Sequence, residues 1–355
     1  MGRRIELKLI LQPFSWNVFK RLLIVIFFAF VSISAYALEK KDTLVFKPFR
    51  DTVKLVKAQI VDIDSSTSYV FYKPRPFGFI GNVPRDFVDF YKVSTQKKNL
   101  PILGGIAGST AILIVFDQKI IDAAQQFGRF INLDSERKFK TAISMDFGGF
   151  HVPVLDLPQN LNSTFYFLGE GWPSILIASG LWGYGSIAKD YRALQTSSQL
   201  AEMFITLAVT TQFIKRITGR ESPFVATEPG GRWRPFTNPG TYQKHVPKYD
   251  AFPSGHLATA MATVTILSGN YPECRWIKPI GYTTMGVIAF AMMNNGVHWM
   301  SDYPLAIAIG YTYGKIAISH GHRIFKRTNN SMVTGSLTPI ILGDNGLGLN
   351  YRLTF

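Results

Sequence analysis

The apolar positions of the chain recur at helical spacing in six segments of its central and C-terminal parts. These segments fall near residues 101–117, 173–189, 198–215, 256–270, 278–295 and 303–318. Apolar residues that repeat three and four positions apart predict helices that pack on one another. The expected fold class is therefore all-α, a six-helix bundle with short strand-like extensions at its N-terminal and C-terminal ends.

The two ends of the chain carry a different pattern. Apolar and polar residues alternate in TLVFKPF (43–49), in SYVFYKP (68–74) and again in GLGLNYRLTF (346–355). Alternation with a period of two predicts half-buried strands. The turn residues Asp344, Asn345 and Gly346 lie between LTPIIL and the last segment, so the C-terminal tail is expected to be a β-hairpin. One hairpin cannot close a membrane barrel.

The first 37 residues have the three parts of a secretory signal peptide. Residues 1–21 are basic, residues 22–33 (LLIVIFFAFVSI) are apolar, and Ala35-Tyr36-Ala37 is a small-x-small site. We predict cleavage after Ala37, with an uncleaved anchor as the alternative. The expected domains are then 1–37, an exported strand and loop segment 38–100, a helical domain 101–325 and the hairpin tail 326–355.

The lengths of the helical segments indicate whether they can cross a membrane. A span needs roughly 20 predominantly apolar residues, and the segments are shorter than this. We therefore expect an exported helical domain that is soluble or lies against the membrane, with its site on the outer face. A polytopic protein remains the alternative.

Composition narrows the classes of partner. The chain has 355 residues, 47% of them hydrophobic, and a net charge of +15. A basic chain favours anionic lipid, a phosphorylated substrate or nucleic acid. Nucleic acid is not expected, because no zinc-finger spacing, basic heptad region or RNP-like motif is present. The one cysteine, Cys274, excludes an intramolecular disulfide and a CxxC site.

Candidate chemistry lies in three clusters at predicted helix ends. The first, Lys215 to Pro223, closes the third helix, and the second, Pro253-Ser254-Gly255-His256, opens the fourth. A helix start with open N–H groups suits an anion. The third cluster contains His298 and Asp302, which share one face if a helix continues through them. A carboxylate beside an imidazole fixes its tautomer and makes it a nucleophile or a base.

Together the clusters resemble the type 2 phosphatidic acid phosphatase superfamily, which includes bacterial acid phosphatases, lipid phosphatases and vanadium haloperoxidases. The family pattern is Lys-x6-Arg-Pro, then Pro-Ser-Gly-His, then Ser-Arg-x5-His-x3-Asp. This chain matches it at Lys215, at Pro223, from Pro253 to His256, and at His298 and Asp302. The resemblance covers roughly residues 100–320 and implies the six-helix bundle of that family.

The resemblance also implies a mechanism that needs no metal ion and no cofactor. His298 would attack phosphorus, Asp302 would orient His298, and His256 would protonate the leaving oxygen. Lys215, the Ser254 hydroxyl and the Gly255 N–H would hold the developing charge. The expected substrate is a phosphorylated lipid, with a small soluble phosphate ester as the alternative, and an anionic membrane surface is an expected partner.

Two residues depart from the pattern. Ser222 stands where the family has its first arginine, and Met292 stands where it has its second. Both guanidinium groups that would bind phosphate in a bidentate way are therefore missing. Candidates to replace them lie in the adjoining loop, namely Arg220, Arg232 and Arg234.

The departures leave other functions open. A catalytically weakened or inactive protein that binds phosphorylated ligands is one alternative, and a soluble exported acid phosphatase is another. A vanadate-dependent haloperoxidase is disfavoured, because it should retain the arginines that hold vanadate.

Overall fold

The structure of the protein is a computed structural model that describes residues 58–147, 150–326, 334–342 and 346–354. The predicted signal peptide 1–37 and the strand predicted at 43–49 lie outside these residues. The strand predicted at 68–74 is present as Thr67–Tyr72, and the C-terminal hairpin is present as two paired strands.

Helices dominate the described residues and confirm the all-α expectation. Six long helices correspond to the six predicted segments: α2 (Leu100–Phe130), α4 (Gly171–Ala188), α5 (Tyr191–Thr218), α7 (Gly255–Asn270), α8 (Ile277–Asn294) and α9 (Tyr303–Gly321). Three shorter helices were not predicted: α1 (Val83–Thr95), α3 (Leu161–Phe167) and α6 (Pro239–Lys244).

The strands form small antiparallel sheets at the margins of the bundle. β1 (Ala58–Asp62), β2 (Thr67–Tyr72) and β5 (His322–Lys326) form one sheet in the order β1-β2-β5. β2 thereby joins the N-terminal extension to the end of α9. β3 (Phe139–Phe147) pairs with β4 (Phe150–Pro158), and β6 (Thr334–Leu342) pairs with β7 (Gly346–Thr354).

The first long helix is longer than its sequence pattern predicts. The segment 101–117 was expected to end before a polar linker, but α2 continues to Phe130 through Asp117, Ile121 and Ala124, which are buried. Within the described part of the chain, the helical stretch Lys97–Phe130 is long and apolar enough to cross a membrane. The expectation that the helical segments are too short to span is therefore wrong for this helix.

The core of the bundle depends on close contact between α7 and α9. Gly310 on α9 faces the backbone of α7, and a Cβ at that position would lie only 2.2 Å from the Ala258 oxygen. Around this contact the buried side chains of α7, α8 and α9, such as Met261, Ile288 and Ile307, form one continuous cluster. This packing fixes the starts of α7 and α9 relative to each other.

We expect Gly310→Ala to destabilise the protein by about 1–3 kcal/mol, because the added methyl forces α7 and α9 apart. Gly104→Ala in α2 is the control, since a Cβ there meets nothing within 4 Å and alanine favours a helix more than glycine does. Urea or thermal unfolding of the purified variants measures the difference. Equal stability of the two variants would contradict the close-contact interpretation.

Candidate active site

His298 lies on a turn between two helices, not within a helix. α8 ends at Asn294, Gly296 has a φ of 68°, and a 3-10 turn at Met300–Asp302 leads into α9. The expectation of one continuous helical face for His298 and Asp302 is therefore wrong. The two residues still meet, because the Trp299 N–H donates to Asp302 Oδ2 over 2.8 Å and folds the turn back.

The contacts of the His298 ring define its tautomer. Nδ1 lies 2.8 Å from the Ala251 carbonyl oxygen and 3.4 Å from Asp302 Oδ2. Both partners are acceptors, so Nδ1 carries the proton and Nε2 keeps its lone pair. His298 is only 2% exposed. The buried ring is thus oriented with a nucleophilic nitrogen on the side away from Asp302.

The start of α7 brings the second histidine to the first. Ser254 is the N-cap and its Oγ accepts from the Leu257 N–H, so Pro253 directly precedes the cap. The ring of His256 lies 5.7 Å from the ring of His298, measured between centroids. The first N–H groups of a helix have no partner within it, so this end of α7 offers donors to an anion.

The His256 ring is held in a desolvated and electropositive place. It packs against the Tyr166 ring, with the centroids 4.5 Å apart. Burial lowers the pKa of His256 well below its usual range, and electrostatic interactions with His298, Lys215 and Arg137 lower it further. An anion bound between these groups opposes both effects and favours the protonated imidazole.

Lys215 comes to the same place from the end of α5. Its Nζ donates to Asp250 Oδ2 over 2.7 Å, and the side chain is almost fully buried. A Cβ on Gly255 would lie 3.9 Å from this nitrogen. Lys215, His256 and His298 therefore converge on the N-terminus of α7, as the sequence predicts.

Arg220 does not face the convergence point in the way expected of a phosphate ligand. Its guanidinium donates to Asp302 Oδ1 and to Asp117 Oδ2, each over 2.6 Å. It is fully buried between the rings of Trp233 and Trp299. The structure therefore does not support the expectation that Arg220 binds substrate. Its contacts indicate instead that Arg220 holds Asp302 in position.

The other two loop arginines differ in how they are engaged. Arg234 Nη1 donates to Glu221 Oε1 over 2.5 Å. Burial alone would raise the pKa of Glu221, but the hydrogen bonds to its carboxylate outweigh burial and lower the pKa to about 2. Arg234 is thus committed to an ion pair. The Arg232 side chain is exposed, while its backbone N–H also donates to Glu221. Among the described residues, neither arginine side chain forms a hydrogen bond or ring contact with His256 or His298.

The two residues that replace the family arginines are both buried. Ser222 is 4% exposed and its N–H donates to the Pro247 oxygen. Met292 is 0% exposed and its Sδ lies 3.6 Å from Ser254 Oγ. An apolar side chain therefore packs beneath the N-cap of α7 at the position where the family pattern has a charge.

One cation near the site was not found from the sequence. The Arg137 guanidinium lies 5.4 Å from the Tyr166 ring and 5.9 Å from the Phe224 ring. Its positive charge is one of the causes that lower the pKa of His256. Arg137 lies in the segment between α2 and β3, and no motif in that segment marks it.

We expect Arg220→Met to lower the stability of the protein by about 3–5 kcal/mol, because it leaves the Asp117 and Asp302 carboxylates buried without their cation. Arg232→Met is the control, and an exposed substitution of this kind changes stability by about 0.5 kcal/mol or less. Chemical unfolding of both variants measures the difference. A wild-type unfolding midpoint for Arg220→Met would contradict the positioning role.

Comparisons with known proteins agree with the motif resemblance. A stretch of 78 residues is 31% identical to a lipid A 1-phosphatase of Porphyromonas gingivalis, and it covers 22% of this chain and 18% of that protein. The chain therefore matches less than a fifth of the length of this relative. No solved structure matches the chain. The family model described as the PAP2 superfamily matches residues 197–325, which contain Lys215, His256, His298 and Asp302.

Proposed function

We propose that the protein is a phosphatase that hydrolyses a phosphate monoester or pyrophosphate of a membrane lipid through a phosphohistidine intermediate. The observation that carries the proposal is the orientation of His298. Its Nδ1 is committed to Ala251 and Asp302, so Nε2 is left as the nucleophile beside His256. The match of residues 197–325 to the PAP2 superfamily model supports phosphatase chemistry.

In the first step, His298 Nε2 attacks phosphorus and a P–N bond forms. The bond between phosphorus and the ester oxygen breaks, and that oxygen takes a proton from His256. Asp302 stabilises the positive charge that develops on the His298 ring. The phosphate dianion supplies the negative charge that lets His256 hold its proton against desolvation and its cationic neighbours.

In the second step, water attacks phosphorus and the P–N bond breaks. His256, now neutral, accepts a proton from the water, so the same imidazole serves as acid and then as base. Inorganic phosphate leaves, and His298 returns to its starting tautomer. No step in this sequence requires a metal ion or a cofactor.

The groups that hold the phosphate oxygens come from two places. Lys215, the Ser254 hydroxyl and the Gly255 N–H lie at or beside the start of α7. Arg137 adds an exposed cation next to the Tyr166 ring. We propose that Arg137, with no help from the buried Arg220, takes over the role of the missing family arginines.

Three observations favour a lipid as the bearer of the phosphate. Phe224 is 47% exposed beside Arg137, so an apolar surface adjoins the proposed anion site. α2 is long and apolar enough for a membrane. The relative from Porphyromonas gingivalis is a lipid A 1-phosphatase. The predicted signal peptide supports a site on the exported face, where the basic chain meets anionic headgroups.

A phosphate-binding protein without turnover is the second candidate. It is favoured by Met292, because an apolar side chain occupies the place of a phosphate-binding arginine. Experiments on the wild-type protein alone distinguish the two candidate functions. The binding protein retains inorganic phosphate or vanadate without releasing phosphate from any substrate.

We expect His298→Ala to abolish phosphate release and His256→Ala to slow it by about two to four orders of magnitude, since one removes the nucleophile and the other the acid. Phosphate release is measured from phosphatidic acid, an isoprenoid pyrophosphate, lipid A and a soluble aryl phosphate. His245→Ala, at an exposed histidine outside the site, is the control. Wild-type turnover by His298→Ala would refute the mechanism.

We expect Arg137→Ala to raise KM for the lipid substrates at least tenfold with a smaller change in kcat, because a charged hydrogen bond to phosphate contributes about 1.5–3 kcal/mol. Arg137→Lys should restore part of the affinity for the lipid substrates, because lysine keeps the positive charge but lacks the two-pronged guanidinium group of arginine. Arg275→Ala, at an exposed arginine elsewhere, is the control. Unchanged kinetics in Arg137→Ala would remove Arg137 from the site.

A further inference from the structure

A second group of titratable side chains lies far from the catalytic histidines. Asp86 on α1, Glu202 on α5 and His320 on α9 meet at the opposite part of the bundle. Glu202 precedes Lys215 by thirteen positions on the same helix. At 1.5 Å per residue this separates the two places by about 20 Å. The proposed phosphatase mechanism does not use this group.

The donor atoms of the three side chains point at one another. His320 Nδ1 lies 2.8 Å from Glu202 Oε1 and 3.6 Å from Asp86 Oδ1. Each residue offers one ligand atom, and these atoms all lie within 4.8 Å of one another. The second Glu202 oxygen is held by the Asn82 side-chain amide, which donates to Oε2 over 2.6 Å. Such a supporting hydrogen bond orients a metal ligand.

One of the donor atoms lacks a hydrogen-bond partner. Asp86 is 1% exposed, and its Oδ1, which faces His320, accepts no hydrogen bond from the described residues. A buried carboxylate oxygen without a donor is costly and uncommon. This atom is aimed at the centre of the cluster, so it marks a place where a positive group is missing.

The charge of the cluster leads to the same conclusion. Two carboxylates are buried here, and His320 can supply at most one positive charge. Arg85, the neighbouring cation on α1, has a half-exposed side chain and pairs with Asp89 on the solvent side. A divalent cation would neutralise both carboxylates at once.

We propose that Asp86, Glu202 and His320 bind one divalent transition-metal ion, which ties α1 to α5 and α9. Two carboxylate oxygens and one imidazole nitrogen suit Zn²⁺ or Mn²⁺, whereas Mg²⁺ and Ca²⁺ prefer oxygen ligands alone. The site is structural and separate from the proposed chemistry, for which no metal is expected. The metal replaces the proton of His320 and satisfies Asp86 Oδ1.

The test uses the full-length purified protein, stripped with EDTA and then titrated with Zn²⁺, Mn²⁺ or Mg²⁺. We expect about one Zn²⁺ or Mn²⁺ per chain by elemental analysis. We also expect the unfolding temperature to rise by about 5 °C at a metal concentration one hundred times the Kd. Mg²⁺ should give a much smaller shift.

Variants locate the metal. Glu202→Gln and His320→Gln should each lose the bound metal and the metal-dependent temperature shift. Asp89→Asn, on the same helix as Asp86, and His298→Ala, which removes a catalytic imidazole, should keep both. Retention of the metal by Glu202→Gln or His320→Gln, or its loss from His298→Ala, would overturn the proposal.

Two further outcomes also overturn it. If Glu202→Gln raises the unfolding temperature equally with and without metal, the carboxylates share a proton and hold no ion. If either variant fails to fold, the wild-type titration decides, and the absence of stoichiometric metal and of a temperature shift refutes the site.

Discussion

One buried guanidinium connects the proposed nucleophile to the rest of the bundle. Arg220 donates to Asp302 on the turn Met300–Asp302 and to Asp117 on α2, and it lies between two tryptophan rings. Asp302 uses its other oxygen for the Trp299 N–H and for His298. Since removing one partner of a buried ion pair leaves an uncompensated charge, the orientation of the nucleophile and the position of α2 depend on the same cation.

This arrangement explains why Arg220 cannot also serve the substrate. Its Nη1 and Nη2 atoms donate to Asp302, Asp117, the Ser301 hydroxyl and the Gly230 carbonyl oxygen, and its side chain is closed off from solvent. Met292 fills the volume beneath Ser254 where the family pattern places a cation, and a charge introduced there would lie unpaired in the core. In the proposed mechanism, positive charge for the substrate would therefore come from Lys215, from the start of α7 and from exposed side chains at the rim of the site.

The sequence predicted the elements that depend on local pattern. All six long helices and the convergence of Lys215, His256 and His298 follow from apolar periodicity and motif spacing. The extension of α2 was missed, because polar residues on its exposed face conceal the buried Asp117 and Ile121. The partners of Arg220 and the place of Arg137 depend on contacts between distant segments, which spacing along the chain does not record.

The reacting groups and the groups proposed to select the substrate occupy different parts of the structure. His298, Asp302 and Lys215 are at most 5% exposed and lie at the ends of packed helices. Arg137 and Phe224 lie on exposed segments outside those helices. Catalytic geometry needs rigid support, whereas recognition of a headgroup needs accessible charge beside apolar surface. A cation and an aromatic ring at the rim are therefore consistent with the proposed amphiphilic phosphate, and changes in these two residues should affect substrate binding more than the proposed chemical step.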